Sequence, residues 1–197
     1  MENFQLWAHP WWVNLLVLIP LSAFLQSRRK RFLLARRQLV FLAGFALAFG
    51  FVEGAVVVYL RAATGLLPGY MGTLANVQRA EPEFYKQATA INSFPRSLLT
   101  VEVCREAATM VMLVSIALIA AAGARERWAA FLWTFAVWDI SYYGALWATV
   151  RWPASLRDLD VLFLIPVPWL SQVWFPLLVS GLTVLAIALQ AQGRTES

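Results

Sequence analysis

Glu102, Arg105 and Glu106 stand within five residues of one another in an apolar stretch long enough to cross a bilayer. On a helix Glu102 and Glu106 are four apart and share a face, with Arg105 beside them. A charged side chain at the centre of a membrane helix costs about 2.5–3.5 kcal/mol on insertion scales. Such groups therefore face a protein interior or water and mark a site. Two other apolar stretches carry one deep acid each, Glu53 and Asp139. Left unpaired, Glu53, Arg105, Glu106 and Asp139 would together cost about 10–14 kcal/mol, taking that value four times. Pairing is required, yet four acids (with Glu102) face one deep arginine. The surplus needs protons on some carboxyls or a bound cation.

That surplus points to chemistry on cations or protons. Glu53, Glu106 and Asp139 are the expected ligands or proton carriers. Glu102 is the residue met first from outside, and Arg105 the counter-charge. Oxygen-only donors suit a hard divalent cation, so the same three carboxylates are the candidate metal ligands and that ion the one cofactor implied. Tyr59, Tyr142 and Tyr143 offer hydroxyls at a similar level, and Trp138 stands beside Asp139 as a cavity wall. The same residues also suit a structural network that fixes helix registry.

Other chemistries fit less well. The single cysteine, Cys104, excludes an internal disulfide, a CxxC pair and a thiolate zinc site. The single histidine, His9, lies outside the spans, which disfavours a di-iron carboxylate bundle with its Glu-x-x-His pairs. A hydrolase lacks its Ser/His/Asp set and its HExxH. The Asp158-x-Asp160 pair reads as a solvated turn ahead of an apolar segment.

The elements that must position these residues are membrane helices. The 197-residue chain is 60% hydrophobic and 14% charged, with a mean hydropathy of +0.64. That is the habit of a polytopic membrane protein. The expected fold is an all-α transmembrane bundle, one integral domain with spans at roughly 11–26, 39–61, 97–122, 128–150 and 169–190. A long outer loop covers 62–96, with a short amphipathic helix near Glu83–Ile91. The almost continuous apolar run from Val161 to Leu189 exceeds 40 Å at about 1.5 Å per residue, too long for one straight span. Its prolines, Pro166, Pro168 and Pro176, make 161–168 an interfacial or re-entrant segment before the last span. Pro20 in the first span is tolerable if neighbours re-satisfy the carbonyl it frees.

Depth follows from these boundaries. Glu53, Glu106 and Asp139 lie roughly 12–17 Å below the outer surface, near the midplane of a ~30 Å core. Gly50-x-x-x-Gly54 lets a neighbouring helix approach closely. The net charge of +5 comes from basic residues beside apolar spans, so it reads as topology rather than nucleic-acid binding. Basic loops at 27–38 and 123–127 place the N-terminus outside and the C-terminus in the cytoplasm. The ten tryptophans mostly sit near predicted interfaces, as aromatic belts do. Residues 1–10 have no basic n-region of a signal peptide.

Trp138-Asp139-Ile140-x-Tyr142-Tyr143, Trp152-Pro153-x-Ser155-Leu156 and Leu162-Phe163-Leu164-Ile165-Pro166-Val167-Pro168-Trp169 carry a resemblance. With the Glu102/Arg105/Glu106 stretch, they resemble segments of a family of uncharacterised bacterial polytopic integral membrane proteins. The resemblance implies a bacterial inner (plasma) membrane and no activity. Five Trp-rich spans are also similar to the tryptophan-rich sensory proteins. Those carry a Trp/Pro-rich loop after the first span, where this chain has Arg28-Arg29-Lys30-Arg31.

Three functional readings follow. The first is a small transporter or channel-like protein with a midplane cation or proton site. The second is an accessory subunit of a larger membrane complex, or a homo-oligomer, whose network serves assembly. The third is an enzyme acting on a lipid or quinone through Asp139 and the tyrosines. Under all three the bilayer is a partner and nucleic acid is not.

Overall fold

The computed structural model describes residues 4–29, 34–63, 65, 70–72 and 96–191. The Glu83–Ile91 helix and the tip of the basic loop lie outside them. The fold is mostly helical. Among the described residues are a 3₁₀ turn (Trp11–Val17) and helices α1 (Leu18–Arg29), α2 (Arg36–Ala63), α3 (Arg96–Ala120), α4 (Ala124–Val150) and α5 (Trp174–Ala191). Of these, α2 and α3 are long and apolar enough to cross a membrane, while 11–25 and 174–189 are shorter apolar helices. The α4 helix has 27 residues, eight of them aromatic.

Pro20 explains the start of the chain. It cannot donate to the carbonyl four residues back, and the α-helical hydrogen-bond pattern begins only at Leu18, after a 3₁₀ approach. At the other end of this antechamber, Gln38 accepts from Ala35 N at 2.8 Å, the reach-back half of a capping box. The same amide donates to Ala120 O at 2.9 Å, satisfying a terminal carbonyl of α3. Trp133 Nε1 donates to Leu39 O at 3.0 Å, so α2, α3 and α4 are stitched together at one end.

The centre of the bundle is α4, which packs against α2, α3 and α5, while α1 lies along α5. Gly50 and Gly54 create the closest approach. A Cβ at Gly50 would lie 2.8 Å from Trp138 O, and one at Gly54 would lie 3.0 Å from Ala145 Cβ. The expected close-packing face is therefore spent inside the chain, on α4. Apolar cores flank this contact: Leu39, Leu42, Ala117, Ala129 and Ile187 at one end, Val57, Val58, Leu146, Val150 and Trp152 at the other.

The segment before the last helix corrects the all-α expectation. It is a β-hairpin: β1 (Leu159–Phe163) pairs antiparallel with β2 (Trp169–Gln172), in the register Asp160↔Ser171 and Val161↔Leu170. His9 extends it, exchanging N–H···O bonds with Leu170 at 2.8 and 2.6 Å. Pro166 and Pro168 fall in the turn, where no ladder donor is needed. A short apolar run of this kind cannot be told from a helix by periodicity alone, and its pairing partner at residue 9 is remote in sequence. The last helix consequently starts at Trp174 rather than 169, with Pro176 in its first turn.

Candidate functional site

On α3 the buried residues are Glu102, Glu106, Thr109, Leu113 and Ala117, one stripe at helical spacing. Its first half is polar and its second apolar, so α3 lays two carboxyls against the bundle where α2 and α4 present Glu53 and Asp139. Between them lies a cavity of about 630 Å³. It is lined by Glu53, Glu102, Arg105, Glu106, Trp138, Asp139, Tyr142 and Tyr143, eight of the nine residues singled out from the sequence. Tyr59 is the exception: it is 68% exposed on the outer face of α2 and lines nothing, a correction. A helix advances about 100° per residue, and the six-residue step from Glu53 carries Tyr59 off the buried face.

The charged wall is specific. Arg105 bridges two buried carboxylates, Glu102 through Nε and Nη2, both at 2.9 Å, and Glu53 through Nη1. The second oxygen of Glu53 accepts from Thr109 Oγ1 at 2.8 Å. Glu102 is thus a full partner in this bridge, 7% exposed, rather than an outer residue met before the others. Glu106 turns to the hairpin instead, accepting the backbone N–H of Leu164 at 2.8 Å. Asp139 accepts from Ser180 Oγ of α5 at 2.8 Å. Among the described residues, Glu106 and Asp139 have no ion-pair partner.

Two cavity residues escaped the sequence reading. Asp160 is 1% exposed and not in a solvated turn: it accepts from Tyr143 Oη at 2.6 Å and from Val161 N at 2.9 Å. Burial pushes its carboxyl up to about 6, against the opposing pull of the Tyr143 hydroxyl, the Arg61 charge and the Val161 amide. Arg61, the last basic residue of α2, is also buried, with its guanidinium 4.8 Å from the Trp152 ring centre. No local signal places Asp160 inside: its strand neighbours Leu159, Val161 and Phe163 are apolar on the opposite face, which by alternation alone would turn Asp160 outward. Asp158 is buried too, but it closes the preceding turn by accepting from Ala154 N and Ser155 N at 2.8 and 3.2 Å.

The remaining lining is mostly apolar, with eight aromatic side chains among aliphatic ones. Phe131, Phe135, Phe163 and Trp169 join Trp138 and Tyr142 in a chain of ring contacts 5.2–6.5 Å between centroids. Trp138 is 7% exposed and its indole N–H has no acceptor among the described residues. The rim includes Ala107, Trp128 and Ile165, all exposed. Among the described residues no three Asp, Glu, His or Cys side chains are grouped to hold a metal ion. The expected metal set of Glu53, Glu106 and Asp139 is not assembled, because Arg105, the Leu164 amide and Ser180 each draw one carboxylate aside.

A scan of protein-family models finds no match to this chain, and neither the curated proteins nor the solved structures contain one. Function therefore has to be argued from the cavity.

Proposed function

We propose that this is a multi-pass membrane protein that takes a small amphiphilic guest from the bilayer into the cavity between α2, α3, α4 and the hairpin. One observation carries the reading: a space of about 630 Å³ with a mostly apolar wall, in which eight aromatic side chains and seven charged ones are set among aliphatic residues. Volumes of about 300–1,000 Å³ with mostly apolar walls and a few placed polar groups are those of small-molecule sites. The apolar body of the guest packs on Phe131, Phe135 and Phe163, and its polar end meets Glu106, Asp139 and the Arg105 bridge. Five spans with the N-terminus outside, in a bacterial inner membrane, fit the basic loops at 27–38 and 123–127. Native mass spectrometry of the protein released from membrane nanodiscs tests the proposal. A bound apolar molecule at one per chain, lost in an Ala107→Trp variant that blocks the rim, is the expected result. Equal, non-stoichiometric lipid on both proteins refutes it.

A second reading has its own support. Five carboxyls (Glu53, Glu102, Glu106, Asp139, Asp160) line the cavity against two guanidiniums (Arg61, Arg105). That surplus favours proton or cation handling by the same wall, and flux into liposomes that Glu106→Gln abolishes is its test.

A further inference from the structure

We infer that the guest is a lipophilic organic cation, a delocalised or quaternary positive charge carried on an apolar body. This rests on the proposed guest-binding role of the cavity and specifies its chemistry.

Three features converge. The first is where the guanidiniums are used. Arg105 is shared between Glu53 and Glu102, and Arg61 stands over Trp152 with its charge acting on Asp160. Among the described residues, Glu106 and Asp139, on facing helices and both lining the cavity, hydrogen-bond only to neutral donors, a backbone amide and a serine hydroxyl, and Glu106 feels the Arg105 charge without pairing to it. A carboxylate in a low-dielectric wall gains far more from an added positive charge than one in water.

The second is the aromatic wall. The faces of Trp138, Tyr142, Phe135 and Phe163 are electron-rich, and cations are attracted to such faces within about 6 Å of the ring centre. A compact metal ion gains little there, since it needs oxygen ligands in a shell, and the carboxylates are not grouped to form one. A large organic cation needs no such shell. It can fill about 630 Å³ with apolar surface while lying near Glu106 or Asp139.

The third is charge balance: five carboxyls line the cavity against two guanidiniums. An anionic guest would add to that surplus of negative charge. A neutral guest would leave that surplus as it stands.

The test uses two probes of nearly equal size and shape and opposite charge, tetraphenylphosphonium and tetraphenylborate, with triphenylphosphine oxide as the neutral reference. Each is titrated into the full chain in nanodiscs of zwitterionic lipid, with empty nanodiscs as blanks, by equilibrium dialysis. The expected result is saturable binding of the phosphonium, at least about tenfold tighter than of the borate, a difference of about 1.4 kcal/mol. Glu106→Gln and Asp139→Asn each weaken phosphonium binding without changing elution of the protein on size exclusion. Borate or phosphine oxide binding as well as phosphonium overturns the cation assignment but leaves the guest-binding cavity standing. If no probe binds saturably and native mass spectrometry finds no guest, the cavity reading falls with it. The comparison within wild type keeps the proposal falsifiable should either variant fail to fold.

Discussion

Replacing Arg105 with leucine removes the group that holds α2 and α3 together across the cavity. Glu53 and Glu102 are 5% and 7% exposed, so neither can recover its lost partner from water. Removing one member of a buried ion pair costs about 3–5 kcal/mol. The Arg105 side chain is 23% exposed, which draws the figure down, while two carboxylates lose a partner at once, which draws it up. We expect a loss of about 3–5 kcal/mol, read by reversible unfolding in mixed detergent–SDS micelles followed by tryptophan fluorescence. The decisive comparison is Arg105→Leu with Glu53→Gln added. Glutamine keeps an acceptor for Thr109 Oγ1 and removes the orphaned charge, so the double variant should regain at least about 1 kcal/mol. Arg105→Leu within about 0.5 kcal/mol of wild type, or strictly additive costs in the pair, would refute the reasoning.

Asp160 sets a pH dependence. Its folded carboxyl titrates at about 6 against an ordinary 3.8, so between these values the folded state holds more protons. Its contribution is therefore most favourable at low pH and is lost as pH rises from about 4 to 6, by about 3 kcal/mol. Asp160→Asn should match wild type near pH 4 and exceed it above pH 6 in the same unfolding assay, whereas a constant offset would count against it. Gly50→Ala should destabilise by about 1–3 kcal/mol, because the added methyl meets the Trp138 carbonyl at 2.8 Å. Gly44→Ala, with nothing within 4 Å, should instead be neutral or gain up to about 1 kcal/mol; similar effects at both sites would contradict the α2–α4 packing. Glu106→Ala should speed hydrogen exchange at the Leu164 amide by about tenfold or more, and Glu106→Gln should restore most of the protection. Unchanged exchange in Glu106→Ala would remove that contact from the account.

The sequence was most informative where burying charge among apolar residues leaves few options. Deep charges in apolar helices must converge, and Glu53, Glu102, Arg105, Glu106 and Asp139 all line one cavity. Helical spacing accounts for the Gly50–Gly54 contact as well, although its partner is α4 of the same chain. Non-local information was harder to read. The hairpin comes from β1 pairing with β2, and His9, remote in sequence, adds a bridge to Leu170 that no local pattern announces. The β1–β2 pairing makes strands of Leu159–Phe163 and Trp169–Gln172, and Asp160 lies inward beside Tyr143. Arg61 was taken for a boundary residue because a terminal basic group is the usual sign of an interface, yet Trp152 folds back beneath it. The metal expectation failed for a similar reason. Counting depth places carboxylates in a layer but says nothing about which neighbour each one faces, and here each faces a different donor.

An experimental density map of the protein in lipid nanodiscs, inspected between Glu106, Asp139 and the Trp138 ring, puts the cavity itself to the test. The account predicts one elongated, non-protein density that enters at Ala107 and Ile165 and places its polar end within contact of Glu106 or Asp139. A cavity holding only ordered water, or one closed by direct packing of α3 on α4, would contradict it.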